Sequence, residues 1–217
     1  MKKQSVFVGV PAFVESLEPR LLLSASLADI AGALDLPADA ADVVYEGSPA
    51  SVEVRDLHST AGLIGFPSGQ DRDFLILSTG VARDVDTLAN TGMGQGTDLG
   101  NDGLPDVAQV SFTLPVPASD RPQQLKFDLV FLSEEYDTWL GSKFDDSFTA
   151  SVNGTQLFMS ISNSDINFAD HLNTIGTYFD GRTERRFGIY DVPADATSLD
   201  VTLTLADEGD GLYDSAV

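Results

Sequence analysis

The chain has 217 residues, 42% of them hydrophobic, and its 34 acidic and 12 basic side chains give a net charge of −22. That length suits one sizeable domain with an apolar core and a short extension. So negative a surface repels phosphate backbones and anionic lipids, and the absence of cysteine excludes disulfides, zinc–thiolate sites and a cysteine nucleophile. No run approaches the ~18 apolar residues of a membrane span. Nucleic acid and membrane insertion are therefore excluded as partners, and divalent cations are favoured.

Residues 1–28 stand apart from the rest. Lys2, Lys3 and Arg20 outnumber Glu15 and Glu18 there, and "MKKQSVFVGVPAFV" joins a basic start to a short apolar run interrupted by Pro11. Ser26-Leu27-Ala28 has the small-x-small form of a cleavage site, although the charges at 15, 18 and 20 sit badly in an ordinary signal peptide. "LEPRLLLSA", Leu17 to Ala25, resembles the LEPR-XLL motif found near the N-terminus of long bacterial surface or exported proteins. On composition alone the same residues read as the start of an amphipathic helix. Residues 29–50, rich in Ala, Asp and Pro, read as a linker with at most one helical turn. The folded domain is expected over 51–217.

From Ser51 onward the pattern is β. "DFLILSTG" (73–80) is a short apolar run closed by glycine. "DLGNDGLPD" (98–106) places Asp98, Asp102, Gly103 and Asp106 at positions one, five, six and nine of a calcium loop. Gly100 stands at position three and Gln109 at twelve, so it is no EF-hand; a looser calcium loop and an Asx-rich turn are equally open. "VAQVSFTLPV" (107–116) is a strand stopped by proline, and "LKFDLVFL" (125–132) sets Leu125, Phe127, Leu129 and Phe131 on one face. In "SFTASVNGTQLFMSI" (147–161), Asn153-Gly154 is the preferred pair for a tight hairpin turn. "SLDVTLTLA" (198–206) alternates, with Leu199, Val201, Leu203 and Leu205 inward. Short strands between Gly, Pro and Asp loops predict an all-β antiparallel sandwich or jelly roll with short helical turns. The closing "GLYDSAV" begins as another strand, so the sequence is expected to be a piece of a longer protein.

Between strands 125–132 and 147–152 lies "SEEYDTWLGSKFDD", with acids at both ends. Glu134 and Glu135 are consecutive at a strand end and point to opposite faces, so they cannot form the pair of carboxyls, ~5–5.5 Å or ~6.5–9.5 Å apart, that glycosidases use. Glu135 with Asp146 could, but an acidic surface offers such pairs by chance. His58 and His171 stand in no triad-like or metal-protease pattern. Calcium takes about six to eight oxygens from carboxylates, carbonyls and Asn side chains. Glu134, Glu135, Asp145 and Asp146 offer such oxygens, and so do Asp207, Asp210 and Asp214 in the loop after 198–206. In a sandwich, loops gather at the two ends, so these groups can meet. The alternative is that they only solvate loops. Tyr136, Trp139 and Tyr178 suit either stacking on a sugar or packing as a plug over the sandwich end. Arg182, Arg185 and Arg186 form the one basic cluster and balance nearby acids.

The order of these segments resembles the choice-of-anchor L family over roughly residues 60–217. The resemblance rests on Ser133-Glu134-Glu135-Tyr136, on Phe144-Asp145-Asp146-Ser147-Phe148 and Gly154, and on the acidic end at Asp207, Asp210 and Asp214-Ser215-Ala216-Val217. Asp145 departs from the Asn usual there. The resemblance implies a secreted or cell-surface bacterial module. Together these readings predict a non-catalytic, calcium-stabilised, adhesin-like or structural module whose partner is a glycan or another surface protein. A carbohydrate-binding module is the alternative, and a glycoside-active enzyme ranks behind it.

Overall fold

The computed structural model describes residues 25–56, 73–85, 99, 106–118, 124–136, 139–154, 156–166, 179–208 and 213–217. The LEPR-XLL-like segment up to Ser24, His58, His171 and Tyr178 lie outside the described residues. One short helix, α1 (Leu27–Ala33), precedes β1 (Ala41–Glu46), β2 (Val52–Asp56), β3 (Asp73–Leu77) and β4 (Val107–Pro115). After them come β5 (Gln124–Leu129), β6 (Leu132–Ser133), β7 (Ser147–Val152) and β8 (Gln156–Ser162). The chain closes with β9 (Gly181–Arg182), β10 (Arg186–Asp191), β11 (Ser198–Ala206) and β12 (Ser215–Ala216). Every pairing among them is antiparallel, and the fold is an all-β sandwich.

The larger layer runs β1-β4-β11-β7-β8. Its middle strand obeys the period of two: Leu199, Val201, Leu203 and Leu205 are buried while Asp200, Thr202 and Thr204 turn outward. Each such buried side chain stabilises the fold by roughly 1.5–3 kcal/mol. The β7–β8 hairpin turns at Asn153 (φ 54°) and Gly154 (φ 72°), the pair of positive φ values that its twist requires. Asn153 also fixes the neighbouring strand, since its Oδ1 accepts from the Asp200 amide at 3.1 Å.

The second layer is assembled from shorter pieces: β2-β3, β12-β6-β9 and β10-β5. β12 joins the first two, because Leu77 and Val217 exchange backbone hydrogen bonds of 2.8 Å in both directions while Ala216 pairs with Leu132. Thr183 joins the others by donating its amide to the Phe131 carbonyl at 2.8 Å. The main core fills the space between layers, with Phe127 edge-on to Phe148 at 6.3 Å. A smaller core of Phe74, Ile76, Val85, Val130, Leu132, Phe179 and Ala216 covers the other face of the second layer.

The expected linker over 29–50 and the domain start at 51 are corrected by these pairings. β1 lies inside that span and forms the edge of the larger layer against β4, with Tyr45 opposite Val110. α1 starts with a capping box, in which Ser26 Oγ accepts from the Asp29 amide and the Asp29 carboxylate accepts from the Ser26 amide. Its Ile30 is fully buried in the main core. The Ala/Asp/Pro composition hid these elements because only alternate residues of β1 are partly covered.

Ile30→Ala should therefore destabilise the fold by about 2–5 kcal/mol, as truncations of buried Ile do. A chain starting at Ser51 should lose more than this. Urea unfolding of both variants checks the boundary; unchanged stability would place 25–50 outside the domain.

Candidate functional site

Five acids gather at one end of the sandwich because each sits at the end of a strand. Glu134 and Glu135 follow β6, Asp146 precedes β7, Asp207 follows β11 and Asp214 precedes β12. The ladder places Ala206 opposite Ser147, Ser147 opposite Ser162, and Ser133 opposite Ser215, so these strand ends share one rim. All five side chains are buried, from Asp146 at 0% exposed to Glu134 at 7%.

Glu134 and Glu135 diverge as consecutive residues must. Glu134 Oε2 accepts from the Asp214 amide at 3.0 Å, and its own amide donates to the Asp214 carbonyl at 3.1 Å. Glu135 Oε2 turns to the larger layer and accepts from Asn163 Nδ2 at 2.7 Å. The Asp146 amide also approaches that oxygen, at 3.5 Å. Asp146 Oδ1 accepts from the Glu208 amide at 2.9 Å. Asp214 is seated by Gly80, where a Cβ would overlap its carboxylate. Ser215, the next residue, donates its amide to Thr79 Oγ1 at 2.8 Å.

Burial is the largest influence on Asp146, followed by the charges of Glu135 and Asp207; together they push its carboxyl up to about 9. The Ser215 hydroxyl faces the same carboxyl and pulls the other way, yet it makes no hydrogen bond of normal geometry. Asp146 Oδ2, Asn163 Oδ1 and Ser215 Oγ are all buried without a hydrogen-bond partner. Such atoms are rare and costly. Here the Ser215 hydroxyl faces the Asp146 carboxyl, and Asn163 lies beside them, its backbone amide donating to the Asp146 backbone carbonyl at 3.3 Å.

The remaining expected ligands fall differently. Asp145 turns away from this group: its Oδ2 accepts from Ser164 Oγ at 2.7 Å, which holds the short 3₁₀ turn Asn163–Asp165. Asp106 accepts from the Leu99 amide through its side chain (2.8 Å) and from the Asp207 amide through its carbonyl (3.0 Å). Asp98, Asp102 and Asp210 lie outside the described residues. Asn163 and Ser215 are not among the ligands expected from the sequence, although Ser215 lies in the acidic end that carries the resemblance. The signal available was their position, Asn163 directly after a strand and Ser215 beside an acid of the rim.

Among the described residues, no three Asp, Glu, His or Cys side chains stand ready as they lie to hold a metal ion. A calcium site draws equally on amide carbonyl and hydroxyl oxygens. The open oxygens of Asp146, Asn163 and Ser215 are one carboxylate, one amide and one hydroxyl. That donor set suits a hard, oxygen-liganded cation.

Trp139 closes the rim. It is half-buried, edge-on to Phe144 at 5.3 Å and tilted against Tyr213 at 6.4 Å. Its amide donates to the Glu135 carbonyl at 3.2 Å. Tyr136 is buried over Gly181, where a Cβ would strike its ring. Both aromatics thus pack as a plug. The arginines behind them are engaged: Arg185 pairs with Asp128, and Arg186 donates to the Asp165 carbonyl at 3.2 Å.

No family model matches the chain, and no curated protein matches it. Solved structures with some likeness include TmCBM61 in complex with beta-1,4-galactotriose (9% identity, 81% of this chain and 84% of that one, TM-score 0.36). Another is BtGH115A, a 4-O-methyl-alpha-glucuronidase with specificity for decorated arabinogalactans (14% identity, 57% of this chain and 16% of that one, TM-score 0.32). A third is the mannan-recognising carbohydrate-binding module TmCBM27 (11% identity, 81% of this chain and 95% of that one, TM-score 0.28). Likenesses this remote decide neither ligand nor activity for this chain.

Two outcomes follow from the rim. In chelator, folded Asp146 keeps a proton that the unfolded chain, near 3.8, has released. Its contribution to stability is full below that value and is lost as pH rises towards about 9. Urea unfolding across this window should show wild-type stability falling relative to Asp146→Asn, which carries no titrating group there; parallel pH profiles would contradict the assignment. Trp139→Ala should cost on the order of 2–3 kcal/mol, less than the ~3–5 of a fully buried aromatic, because part of the side chain stays exposed. Thermal unfolding reads this directly, and full stability would mean that the ring is no plug.

Proposed function

We propose that the chain is a non-catalytic β-sandwich module that acts outside the cell or on its surface, where calcium holds the rim together. The observation that carries the reading is the set of buried, unpartnered oxygens on Asp146, Asn163 and Ser215 beside Glu135 and Asp207. A cation there would offset the like-charge repulsion and satisfy those oxygens at once. Burial argues against chemistry at these acids, since a substrate has no access to them as they lie. The extracellular setting is supported by the LEPR-XLL-like and choice-of-anchor L-like segments and by the net charge of −22. Among the described residues no helix is long and apolar enough to cross a membrane. Such modules serve as parts of larger adhesin-like or structural proteins.

A glycan-binding reading has one observation in its favour away from the rim. Phe187 on β10 is 64% exposed, with the Arg185 guanidinium 5.1 Å from its ring centre. Loss of binding to a glycan array in Phe187→Ala, with stability intact, would put that reading ahead.

Calcium at about ten to a hundred times a Kd of ~10⁻⁴–10⁻³ M should stabilise the fold by about 1.4–2.7 kcal/mol. The thermal midpoint should then rise by several degrees in calcium and not in magnesium, and Asn163→Ala and Asp146→Ala should abolish the shift. If calcium moves nothing at any concentration, the rim is offset by a proton and bridging water, and the calcium reading fails.

A further inference from the structure

The rim keeps its oxygens out of water, since Asp146, Asn163 and Ser215 are fully buried and the other acids nearly so. A cation can reach or leave such a site only when some part of its cover opens. The cover is aromatic. Trp139 donates its amide to the Glu135 carbonyl at 3.2 Å, the Phe144 carbonyl accepts from the Asp146 amide at 3.1 Å, and Tyr213 directly precedes Asp214. Three rings thus stand on the backbone beside three rim acids. They also meet one another: Trp139 lies 5.3 Å from Phe144 and 6.4 Å from Tyr213, between ring centres. Their outer side reaches water, because Leu140, Ser142 and Lys143 are exposed and the Lys143 ammonium sits 4.3 Å from the Phe144 ring centre.

Tyr213 carries the strain in this cover. Its φ is 71°, in the left-handed region. The other non-glycine residues with positive φ among those described are Asp35, Asp42 and Asn153, whose short polar side chains tolerate it. A tyrosine there is an outlier, and such strain persists only where surrounding contacts enforce it. On its C-terminal side the chain is pinned. Asp214 donates its amide to Glu134 Oε2 at 3.0 Å, its carbonyl accepts from the Glu134 amide at 3.1 Å, and its carboxylate fills the space beside Gly80. Ser215 is held in turn by Thr79. In front, the Tyr213 ring leans on Trp139. With Asp214 held, rotation about the Tyr213 φ swings the ring off Trp139 and leaves β12 where it is. That rotation relieves the strain, which lowers the cost of opening at this point. The turn after Trp139 stores no such strain, because its positive φ falls on Gly141 (65°).

We infer that the Tyr213 ring, closed on Trp139, is the gate through which calcium enters and leaves the rim. The inference rests on the calcium reading of the rim and adds how exchange with it is controlled. Movements of this kind take microseconds to seconds, so calcium exchange is set by the opening of the ring pair and not by the ligands alone.

Stopped-flow mixing of the calcium-loaded full chain with a fluorescent chelator reads release, calcium titration gives Kd, and their quotient gives association. Wild-type release should be slow enough to follow after mixing. Tyr213→Gly removes the ring and accepts the positive φ without strain, so the path of the chain is kept. It should speed release and association alike by about tenfold and leave Kd within about threefold, because a gate acts on both directions equally. Trp139→Leu, which removes the support on the other side, should act in the same sense. Tyr213→Phe, which keeps ring and strain, should match the wild type. Faster release without faster association would make Tyr213 a support for the ligands and overturn the gate. Unchanged rates in Tyr213→Gly and Trp139→Leu, or wild-type release already complete on mixing, would overturn it too. In each of these cases calcium still binds and the calcium reading stands; a chain that binds no calcium would remove both.

Discussion

Carboxylates repel one another most strongly where water is excluded, and this chain buries five of them at one end of a sandwich. The strand registers leave little choice. Asp146 and Asp207 flank adjacent strands of the larger layer, Glu134 and Asp214 flank adjacent strands of the smaller one, and Glu135 reaches across. Their hydrogen bonds to backbone amides offset part of the burial cost. The remainder falls on Asp146, where a proton or a cation must supply positive charge.

The five residues 213–217 tie this constraint to the rest of the second layer. Tyr213 backs Trp139, Asp214 fills the space left by Gly80, Ser215 faces Asp146, and Ala216 with Val217 bonds the two halves of the layer. Anything that fixes the rim also fixes β12, and through β12 the joint between β2-β3 and β6-β9.

Much of the larger layer was legible because its strands are half-buried and alternate: β11, β4 and the Asn153-Gly154 turn follow directly from period and turn chemistry. α1 and β1 were not. Their span is rich in small and acidic residues, and what orders it is tertiary, the docking of Ile30 and the pairing of β1 with β4. In the rim, the acids stood out by density, and the gathering of loops at one sandwich end could be argued from fold class alone. What sequence could not reveal was orientation. Asp145 and Asp146 are neighbours in one motif, yet one holds a turn while the other is wholly buried. Asn163 and Ser215 carry no charge to draw notice, and only their unpartnered oxygens mark them.

The central claim is that the positive charge at Asp146 is exchangeable, a proton in the metal-free chain and calcium when bound. Calcium titration of the weakly buffered protein near neutral pH, followed by a pH electrode, tests it most directly. The account predicts release of about one proton per calcium bound, because folded Asp146 titrates only near 9 without metal. Asp146→Asn should release none. Calcium binding with no proton released from the wild type, or equal release from the variant, would contradict it.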